Sequence, residues 1–240
     1  MITIIPAIDV IDGQCVRLTR GAFDSKKVYD SNPVHVARQF EEAGIKRLHM
    51  VDLDGARKKQ IVNWRVLQSV AEGTNLQIDF GGGVQSDEDI KRAFECGARQ
   101  ITAGSIAVKN KALVQSWLQR FGNDKLILGS DVRDGKIAVS GWQNTTEIKL
   151  IDFLKEYREL GFKETICTDI AFDGTLEGPA FELYKTIKSE IPDLKLIASG
   201  GVCQIDDVAQ LNEAGIDGVI IGKAIYEGRI KLEELKPFLC

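Results

Sequence analysis

Four aspartates stand where short apolar segments of the sequence end: Asp9, Asp52, Asp131 and Asp169. A carboxyl group beside apolar residues loses part of its hydration, which suits it to act as an acid or a base. Asp9 and Asp131 lie in matching segments, DVIDG and DVRDG, 122 residues apart. Two carboxyl groups on either side of one substrate would supply a base and an acid. We therefore predict that Asp9 and Asp131 are catalytic, whereas Asp52 and Asp169 could equally cap the loops that follow them.

Glycine-rich loops follow four other apolar segments and indicate a long substrate with a phosphate at each end. Glycine lets the backbone approach an anion closely, and the N–H groups of a following helix supply donors. One such loop is weak evidence, because tight strand–helix turns need glycine anyway, but four loops in a twofold pattern favour phosphate binding. The predicted phosphate-binding residues are Gly82, Gly83, Gly104, Ser105, Gly178, Gly200, Gly201, Gly222 and Lys223.

Three further side chains are candidates for substrate binding. Arg17 lies in the long basic segment 12–29, which could fold over a site and contact a phosphate or a heterocycle, or could be a solvated hairpin. Trp142 could stack on a heterocycle or pack its own loop down. His49 lies inside a candidate strand, where a histidine in the protein core is the usual interpretation.

Positioning these residues requires a regular alternation of strands and helices. The candidate strands are rich in Ile, Leu and Val with little polar alternation, as expected for strands buried on both faces of a parallel sheet. They cover residues 2–10, 47–53, 76–80, 100–103, 125–130, 165–170, 194–198 and 218–221. Helical patterns cover residues 33–43, 64–71, 87–96, 111–120, 148–160, 181–189, 205–214 and 232–238. Eight such units fit a closed (β/α)₈ barrel or an open doubly wound sheet.

Internal similarity decides between these two folds. Segments 82–107 and 200–225 align without a gap at an offset of 118, with seven identities in 26 positions. Together with the matched aspartates, three sections repeat in the same order at about half the chain length. The sequence therefore predicts an α/β fold, a single (β/α)₈ TIM barrel over residues 1–240, built from two pseudo-twofold half-barrels at about 1–122 and 123–240. In such a barrel the active site lies at the carboxyl ends of the strands.

Composition excludes several classes of function. The net charge is −4, so no basic surface for nucleic acid is expected, and no apolar run approaches the roughly 20 residues that cross a membrane. The five cysteines are widely spaced and the chain has only two histidines, which argues against a disulfide framework or a metal centre. We expect a cytoplasmic protein, a monomer, whose partner is a small molecule.

Segments along nearly the whole chain resemble one family. They are IPAIDVIDGQCVRL, HMVDLDGA, DFGGGV, SDVRDGKIAVSGW, TDIAFDGTLEGP, ASGGV and IIGKAIYEG. They resemble the phosphoribosylformimino-aminoimidazole-carboxamide ribotide isomerases of histidine biosynthesis. The resemblance implies a barrel with half-barrel symmetry and two phosphate sites. It also implies an Amadori rearrangement of an aminoaldose to an aminoketose, without a metal or organic cofactor.

The resemblance also implies roles for individual residues. Asp9 would be the general base that removes the proton from ribose C2′, and Asp131 the general acid that assists opening of the ribose ring. Further substrate contacts would come from the second and sixth barrel strands, at His49, Asp52, Thr168 and Asp169.

Some features depart from the family pattern or fit a different function. Gln85 and Phe172 stand where a basic residue is common in the family, and Ala180 where Asn is common. The sister barrel, the cyclase subunit of imidazole glycerol phosphate synthase, shares both aspartates but typically has PCLDV and a lysine where this chain has Ala7 and Arg17. The residues also fit a bifunctional isomerase that accepts phosphoribosylanthranilate as well, or a non-catalytic binder of phosphorylated ligands.

Overall fold

Eight parallel strands form a closed ring at the centre of the computed structural model, which describes residues 1–239. Each strand pairs with two neighbours, and the last strand pairs with the first, so the predicted (β/α)₈ barrel is confirmed. Going around the ring, the strands are β1 (Thr3–Ile11), β4 (Arg47–Asp52), β5 (Gln77–Gly81), β6 (Gln100–Ala103), β7 (Leu126–Arg133), β10 (Glu164–Asp169), β11 (Lys195–Ser199) and β12 (Gly218–Ile221).

Helices connect consecutive strands and bury their apolar faces against the ring. Ser86 caps one of them by accepting a hydrogen bond from the backbone N–H of Asp89, as its sequence position predicts. No helix in the described part of the chain is long and apolar enough to cross a membrane. The helices are α1 (Pro33–Glu42), α2 (Leu53–Lys58), α3 (Trp64–Gly73), α4 (Asp87–Glu95), α5 (Ser105–Lys109), α6 (Lys111–Phe121), α7 (Leu150–Glu159), α8 (Phe181–Glu190), α9 (Ile205–Glu213) and α10 (Lys223–Tyr226).

Two details of the helix prediction need correction. The final helical segment, Leu232–Phe238, is a 3₁₀ helix, and Pro237 within it lacks the N–H that an α-helical hydrogen bond requires. The short helices α2, α5 and α10 were not predicted, because four to six residues are too few to show a helical period.

Two hairpins rise from the barrel at equivalent places. One follows β1 and consists of β2 (Gln14–Thr19) and β3 (Ala22–Asp30). The other follows β7 and consists of β8 (Lys136–Val139) and β9 (Asn144–Lys149). Each begins with a two-residue Asp-Gly turn in which both residues have positive φ, 51° and 77° at residues 12 and 13 and 51° and 76° at residues 134 and 135. The division of the chain into halves near residue 122 stays a prediction, with which these matched turns agree.

The barrel interior is layered. At the amino ends of the strands, Arg47 bonds across the barrel to Glu164 at 2.9 Å, and Gln100 bonds to both. A layer of buried apolar side chains lies above this polar group: Ile5, Ala7, Ile127, Ile166, Ile197 and Ile220. The carboxyl ends of the strands, above that layer, surround an open cavity.

Candidate active site

The cavity at the carboxyl ends of the strands has a volume of about 390 Å³, a typical size for a small-molecule site. Side chains or backbone from all eight barrel strands or the loops after them line it. Most of the residues predicted from the sequence lie on its wall: Asp9, Arg17, His49, Gly82, Gly83, Gly104, Ser105, Asp131, Trp142, Thr168, Gly200, Gly201, Gly222 and Lys223.

Asp9 projects into the cavity from β1 and pairs with Arg17 of the first hairpin. Arg17 Nη1 lies 2.8 Å from Asp9 Oδ2, and Arg17 Nη2 donates to the carbonyl of Ala7 at 2.6 Å. Burial disfavours the charged guanidinium, but the attraction of Asp9, together with that of Tyr226, Cys15 and Asp173, outweighs burial and raises the pKa of Arg17. The Nε of Arg17 is buried and bonds to no described residue. The pair places the Asp9 carboxyl group at the cavity wall beside a guanidinium.

Asp131 projects into the cavity from β7, the strand opposite β1 in the ring. Burial raises the pKa of this carboxyl group, although hydrogen bonds from Trp142 and Thr168 act against the shift. The indole Nε1 of Trp142 donates to Asp131 Oδ2 at 2.8 Å. A protonated Asp131 can therefore persist to higher pH than an exposed aspartic acid would, which suits a proton donor.

Trp142 also brings the two hairpins together over the cavity. Its ring lies against the backbone of Gly21, where a Cβ atom would come within 2.5 Å of the indole Cε3. The sequence left open whether Trp142 packs its loop or faces the substrate, and the structure shows a ring that packs between hairpins while its N–H faces Asp131. Stacking of Trp142 on a heterocycle stays a prediction.

A third cavity carboxyl group, Asp173, was missed by the sequence prediction. It lies in the loop after β10, and burial raises its pKa to about 6. The nearby charges of Asp9 and Asp131 raise this pKa further, while Arg17 and Lys223 act against the rise. The signal was present in the segment TDIAFDGTLEGP, which repeats the Asp-Gly pair that follows β1 and β7, but its distance from the strand end concealed it.

Asp52 corrects one prediction. Its side chain is 0% exposed and does not line the cavity. Its two oxygens accept hydrogen bonds from the backbone N–H groups of Gly55, Val62 and Asn63 at 2.7–2.8 Å. Asp52 therefore caps α2 and anchors the loop after β4, so the predicted substrate contact is wrong and the capping interpretation applies.

Asp169, at the equivalent place on β10, is only partly buried, and its contact with the substrate stays a prediction. Its Oδ1 accepts from the backbone N–H of Ala171 at 3.0 Å, and its side chain does not line the cavity. Burial raises the pKa of this carboxyl group. The preceding residue, Thr168, is the one that faces the cavity, because neighbouring residues of a strand point to opposite faces.

The glycine pairs after β5 and β11 form two matching turns at the cavity wall. Gly82 and Gly83 both have φ of 89°, and Gly200 and Gly201 have φ of 93° and 83°. A Cβ on Gly82 would overlap the carbonyl of Asp52, and one on Gly201 would overlap the carbonyl of Gly178. Gly178 is not among the residues that line the cavity, and its N–H donates to the carbonyl of Gly201 at 3.0 Å, so its role in phosphate binding stays a prediction.

The short helices α5 and α10 begin at the same cavity wall, and each adds its first residues to one of the glycine pairs. We call the two resulting groups cradles: Gly82, Gly83, Gly104 and Ser105 form one, and Gly200, Gly201, Gly222 and Lys223 form the other. The first residues of the two helices, Ser105 and Lys223, follow Gly104 and Gly222, whose φ/ψ angles are −93°/−107° and −109°/−97°. Neither helix has a side-chain cap, so its first N–H groups remain available to an anion. The Lys223 ammonium also lies at the wall, where it donates to the carbonyl of Gly174 at 2.7 Å.

The three positions that depart from the family pattern have different surroundings. Gln85 lines the cavity, and its side-chain amide donates to the carbonyl of Val84 at 3.0 Å. Phe172 packs on the hydrophobic core and supplies no polar contact. Ala180 is the N-cap of α8 and makes no side-chain capping bond.

The sequence allowed His49 to be either a core histidine or a residue of the site, and the structure shows features of both. The ring is largely buried, yet it lines the cavity from β4. Its Nδ1 hydrogen-bonds to the carboxyl group of Asp79, which lies beside it on β5.

Comparison with known proteins assigns the chain to a family. The family described as "Histidine biosynthesis protein" matches residues 3–231. The chain belongs to this family. A relative from Cytophaga hutchinsonii is 57% identical over 238 residues, which are 99% of each chain. Relatives from Parabacteroides distasonis and Bacteroides thetaiotaomicron are 56% and 55% identical, over 99% and 100% of this chain and all of theirs. All three are named as an imidazole-4-carboxamide isomerase, and that name contains two 5-phosphoribosyl groups.

Proposed function

We propose that this protein is an intramolecular aldose–ketose isomerase of histidine biosynthesis. It converts N′-(5′-phosphoribosylformimino)-5-aminoimidazole-4-carboxamide ribotide into the phosphoribulosyl form. The observation that carries the proposal is the position of Asp9 and Asp131 on opposite strands around one cavity, between two matched glycine cradles. The isomerase name of the relatives, which align over the whole chain, agrees with it.

The reaction needs one acid and one base. Asp131 protonates the ribose ring oxygen, the bond from that oxygen to C1′ breaks, and the lone pair of the substituent nitrogen forms a protonated imine with C1′. Asp9 then removes the proton from C2′, which gives a neutral enaminol. Transfer of that proton from Asp9 to C1′, and of the C2′ hydroxyl proton to Asp131, gives a ketone at C2′ and an amine at C1′ and restores both carboxyl groups. Atoms and electrons balance within the substrate. The Asp9–Arg17 pair supplies the carboxylate, and the raised pKa of Asp131 supports its role as the acid.

The two phosphates of the substrate fix it across the cavity. Gly82, Gly83, Gly104 and Ser105 would hold one, and Gly200, Gly201, Gly222 and Lys223 the other. Backbone N–H groups and the amino ends of α5 and α10 supply the donors, while Lys223 supplies positive charge. Holding both ends places C1′ and C2′ between Asp9 and Asp131 and so lowers the entropic part of the barrier.

The direct test is to incubate the purified protein with the aminoaldose and to follow formation of the ketose by chromatography. Turnover without ammonia or any added cofactor supports the proposal, and its absence contradicts it. Parallel incubations with phosphoribosylanthranilate, and with the ketose plus ammonia, test for the bifunctional isomerase and for the cyclase. Ligand binding without turnover would favour the non-catalytic binder.

We also propose that the protein works as a monomer in the cytoplasm. Residues of this chain from all eight barrel strands line the cavity and supply every group that the proposed chemistry uses. Light scattering behind a sizing column tests this proposal. A stable dimer as the only active species would contradict it.

A further inference from the structure

One buried ion pair beside the cavity takes no part in the mechanism described above. It joins His49 on β4 to Asp79 on β5, neighbours in the sheet register. The Asp79 side chain is fully buried and does not line the cavity, whereas the His49 ring does. Asp79 can therefore act on a substrate only through the cavity-lining side chains that it contacts, which are His49 and Thr102.

The hydrogen bonds around this pair determine which ring nitrogen faces the cavity. His49 Nδ1 bonds to Asp79 Oδ1, and the same oxygen accepts from the hydroxyl of Thr102 at 3.1 Å. Nε2 is left, and within residues 1–239 no side chain or backbone group hydrogen-bonds to it. With Nδ1–H directed at Asp79, Nε2 is the nitrogen available to a bound molecule.

Charged groups surround His49 on several elements. Asp79 on β5, Asp9 on β1 and Asp131 on β7 are acidic, and Arg17 on β2 is basic. Burial disfavours the charged imidazole, but the attraction of Asp79, helped by Asp9, outweighs burial and the repulsion of Arg17, and it raises the pKa of His49. The surroundings therefore favour an imidazolium whose second N–H faces the cavity.

Burial of the His49–Asp79 pair is energetically unfavourable for the fold. Asp79 Oδ2 is buried and accepts no hydrogen bond from the described residues, and an acceptor buried without a partner is destabilising. An apolar pair of similar volume would avoid that cost and would often be as stable or more so. Stability of the barrel therefore does not explain Asp79, and of its two side-chain partners, His49 and Thr102, only His49 can carry a charge that the carboxylate would stabilise.

We infer that Asp79 is a positioning residue that holds His49 as an imidazolium with Nε2–H directed at a sugar oxygen of the substrate. The inference rests on the proposed function and adds a residue to it. The oxygen on C2′ changes from hydroxyl to carbonyl during the rearrangement, and a fixed cationic donor beside it stabilises the charge that develops there. Asp79 itself touches neither the substrate nor the reacting atoms.

The first test measures His49 directly and needs no substrate. The chain has only two histidines, so long-range ¹H–¹⁵N spectra separate His49 from the exposed His35 without ambiguity. In the wild type, His49 should stay doubly protonated to higher pH than a free histidine, whereas in D79N its pKa should fall. A neutral His49 at pH 7 in the wild type would overturn the inference, even if D79N failed to fold.

The second test compares kinetics. D79N should lower kcat at least about tenfold with a smaller change in KM, and its activity should decline at lower pH than that of the wild type, because His49 loses its proton earlier. The matched control is E164Q, which removes a carboxylate from the ion pair at the other end of the same barrel. E164Q should lower stability but leave the His49 spectrum and the pH profile unchanged.

The outcomes separate the inference from the function on which it rests. An unchanged pH profile in D79N, or the same shift in E164Q, would refute the positioning role. If instead the wild-type protein failed to turn over the aminoaldose while His49 titrated as expected, the proposed function would fail and the assigned state of His49 would stand.

Discussion

The two proposed catalytic carboxyl groups each receive a partner from a hairpin. Arg17 of the first hairpin bonds to Asp9, and Trp142 of the second bonds to Asp131. The two partners differ in charge, since a guanidinium favours a carboxylate whereas an indole N–H adds none. This difference between the two hairpins agrees with the proposed roles of Asp9 as the base and Asp131 as the acid.

Amide substitutions test these roles. D9N and D131N should fold normally and each should lower kcat by about 10²- to 10⁴-fold, because general acid and base catalysis supplies effects of that size. D169N is the matched control, since Asp169 also ends a strand but lies outside the cavity. Steady-state kinetics and circular dichroism give the answer, and near-native turnover of D9N or D131N would refute the corresponding role.

Asp173 should make stability depend on pH. Its pKa is raised in the folded protein to about 6, from an ordinary value of 3.8, so folding favours the protonated form. The stability this provides is complete below pH 4 and is lost as pH rises through 6. D173N should therefore be more stable than the wild type above pH 6, by on the order of 2–3 kcal/mol, with no gain near pH 4.

Urea denaturation between pH 4 and 8 measures this difference. D24N, which changes an exposed aspartate on the first hairpin, is the control and should follow the wild type across the whole range. A constant difference between D173N and the wild type at every pH would contradict the assignment.

For individual residues, the sequence predicts where each strand ends but not the direction in which its last side chain points. The end of each strand was located from its apolar run, but whether its aspartate faces the cavity depends on the register. Asp9 pairs with Val51 and Asp131 with Thr168, and these positions share the inward face, so Asp52 and Asp169 point away. Because His49 points into the cavity, strand alternation places Asp52, three residues later, on the opposite face.

Among the secondary-structure elements, the barrel strands were predictable and the hairpins only partly so. Buried strands of a parallel sheet are continuous apolar runs, which is why 100–103 and 218–221 were predicted with their observed bounds. Most residues of β3 and β9 are exposed, so they lack an apolar run and an alternating pattern. β3 pairs with β2 across a turn at Arg20 and Gly21, and β9 pairs with β8 across residues 140–143, so no apolar pattern within either strand predicts the pairing.

Two equivalent glycines allow the first hairpin's role to be tested. A Cβ on Gly222 would come within 2.5 Å of the Arg17 guanidinium, whereas a Cβ on Gly104 would meet nothing within 4 Å. Both have nearly the same backbone angles and begin equivalent short helices. G222A should therefore displace Arg17 from Asp9 and lower kcat by about tenfold or more beyond the effect of G104A.

G104A is the control for G222A, because both substitutions impose similar backbone strain and each weakens one phosphate cradle. The difference between their kcat values therefore reports the displacement of Arg17. Kinetics under matched conditions, with thermal unfolding to confirm similar stability, would measure the difference. Equal kcat values in G222A and G104A would show that the position of Arg17 is unimportant for the chemistry.

At the scale of the whole molecule, the closed ring holds two cradles at a fixed separation. The sequence repeat predicts both cradles and the barrel, because matching glycines recur at the same spacing in segments 82–107 and 200–225. It could not predict that Trp142 rests on Gly21, because this contact joins loops more than 100 residues apart. Nor could it predict the bonds of Arg47 across the barrel, which require the ring to be closed.

A ligand with two phosphates should therefore stabilise the fold far more than separate phosphates. Once one end is bound, the second cradle meets the other end at a high effective concentration. At 100 times its Kd such a ligand adds about 2.7 kcal/mol to the free energy of unfolding. Calorimetry should show a larger rise in Tm with the bisphosphorylated substrate or product than with inorganic phosphate at twice the molar concentration.

The variant K223M supplies the control for this experiment. It removes the ammonium from one cradle and leaves the other intact. The advantage of the bisphosphorylated ligand over inorganic phosphate should shrink in K223M. Equal shifts for both ligands in the wild type would mean that the cradles do not act together.

The layers of the barrel interior determine from which side a ligand enters and leaves the cavity. The polar group of Arg47, Gln100 and Glu164 and the buried apolar layer above it lie between the cavity and the amino ends of the strands. The cavity opens at the other end of the barrel, beneath the two hairpins. Aldose and ketose should therefore enter and leave on the same side, and accumulated ketose should act as a competitive inhibitor of its own formation.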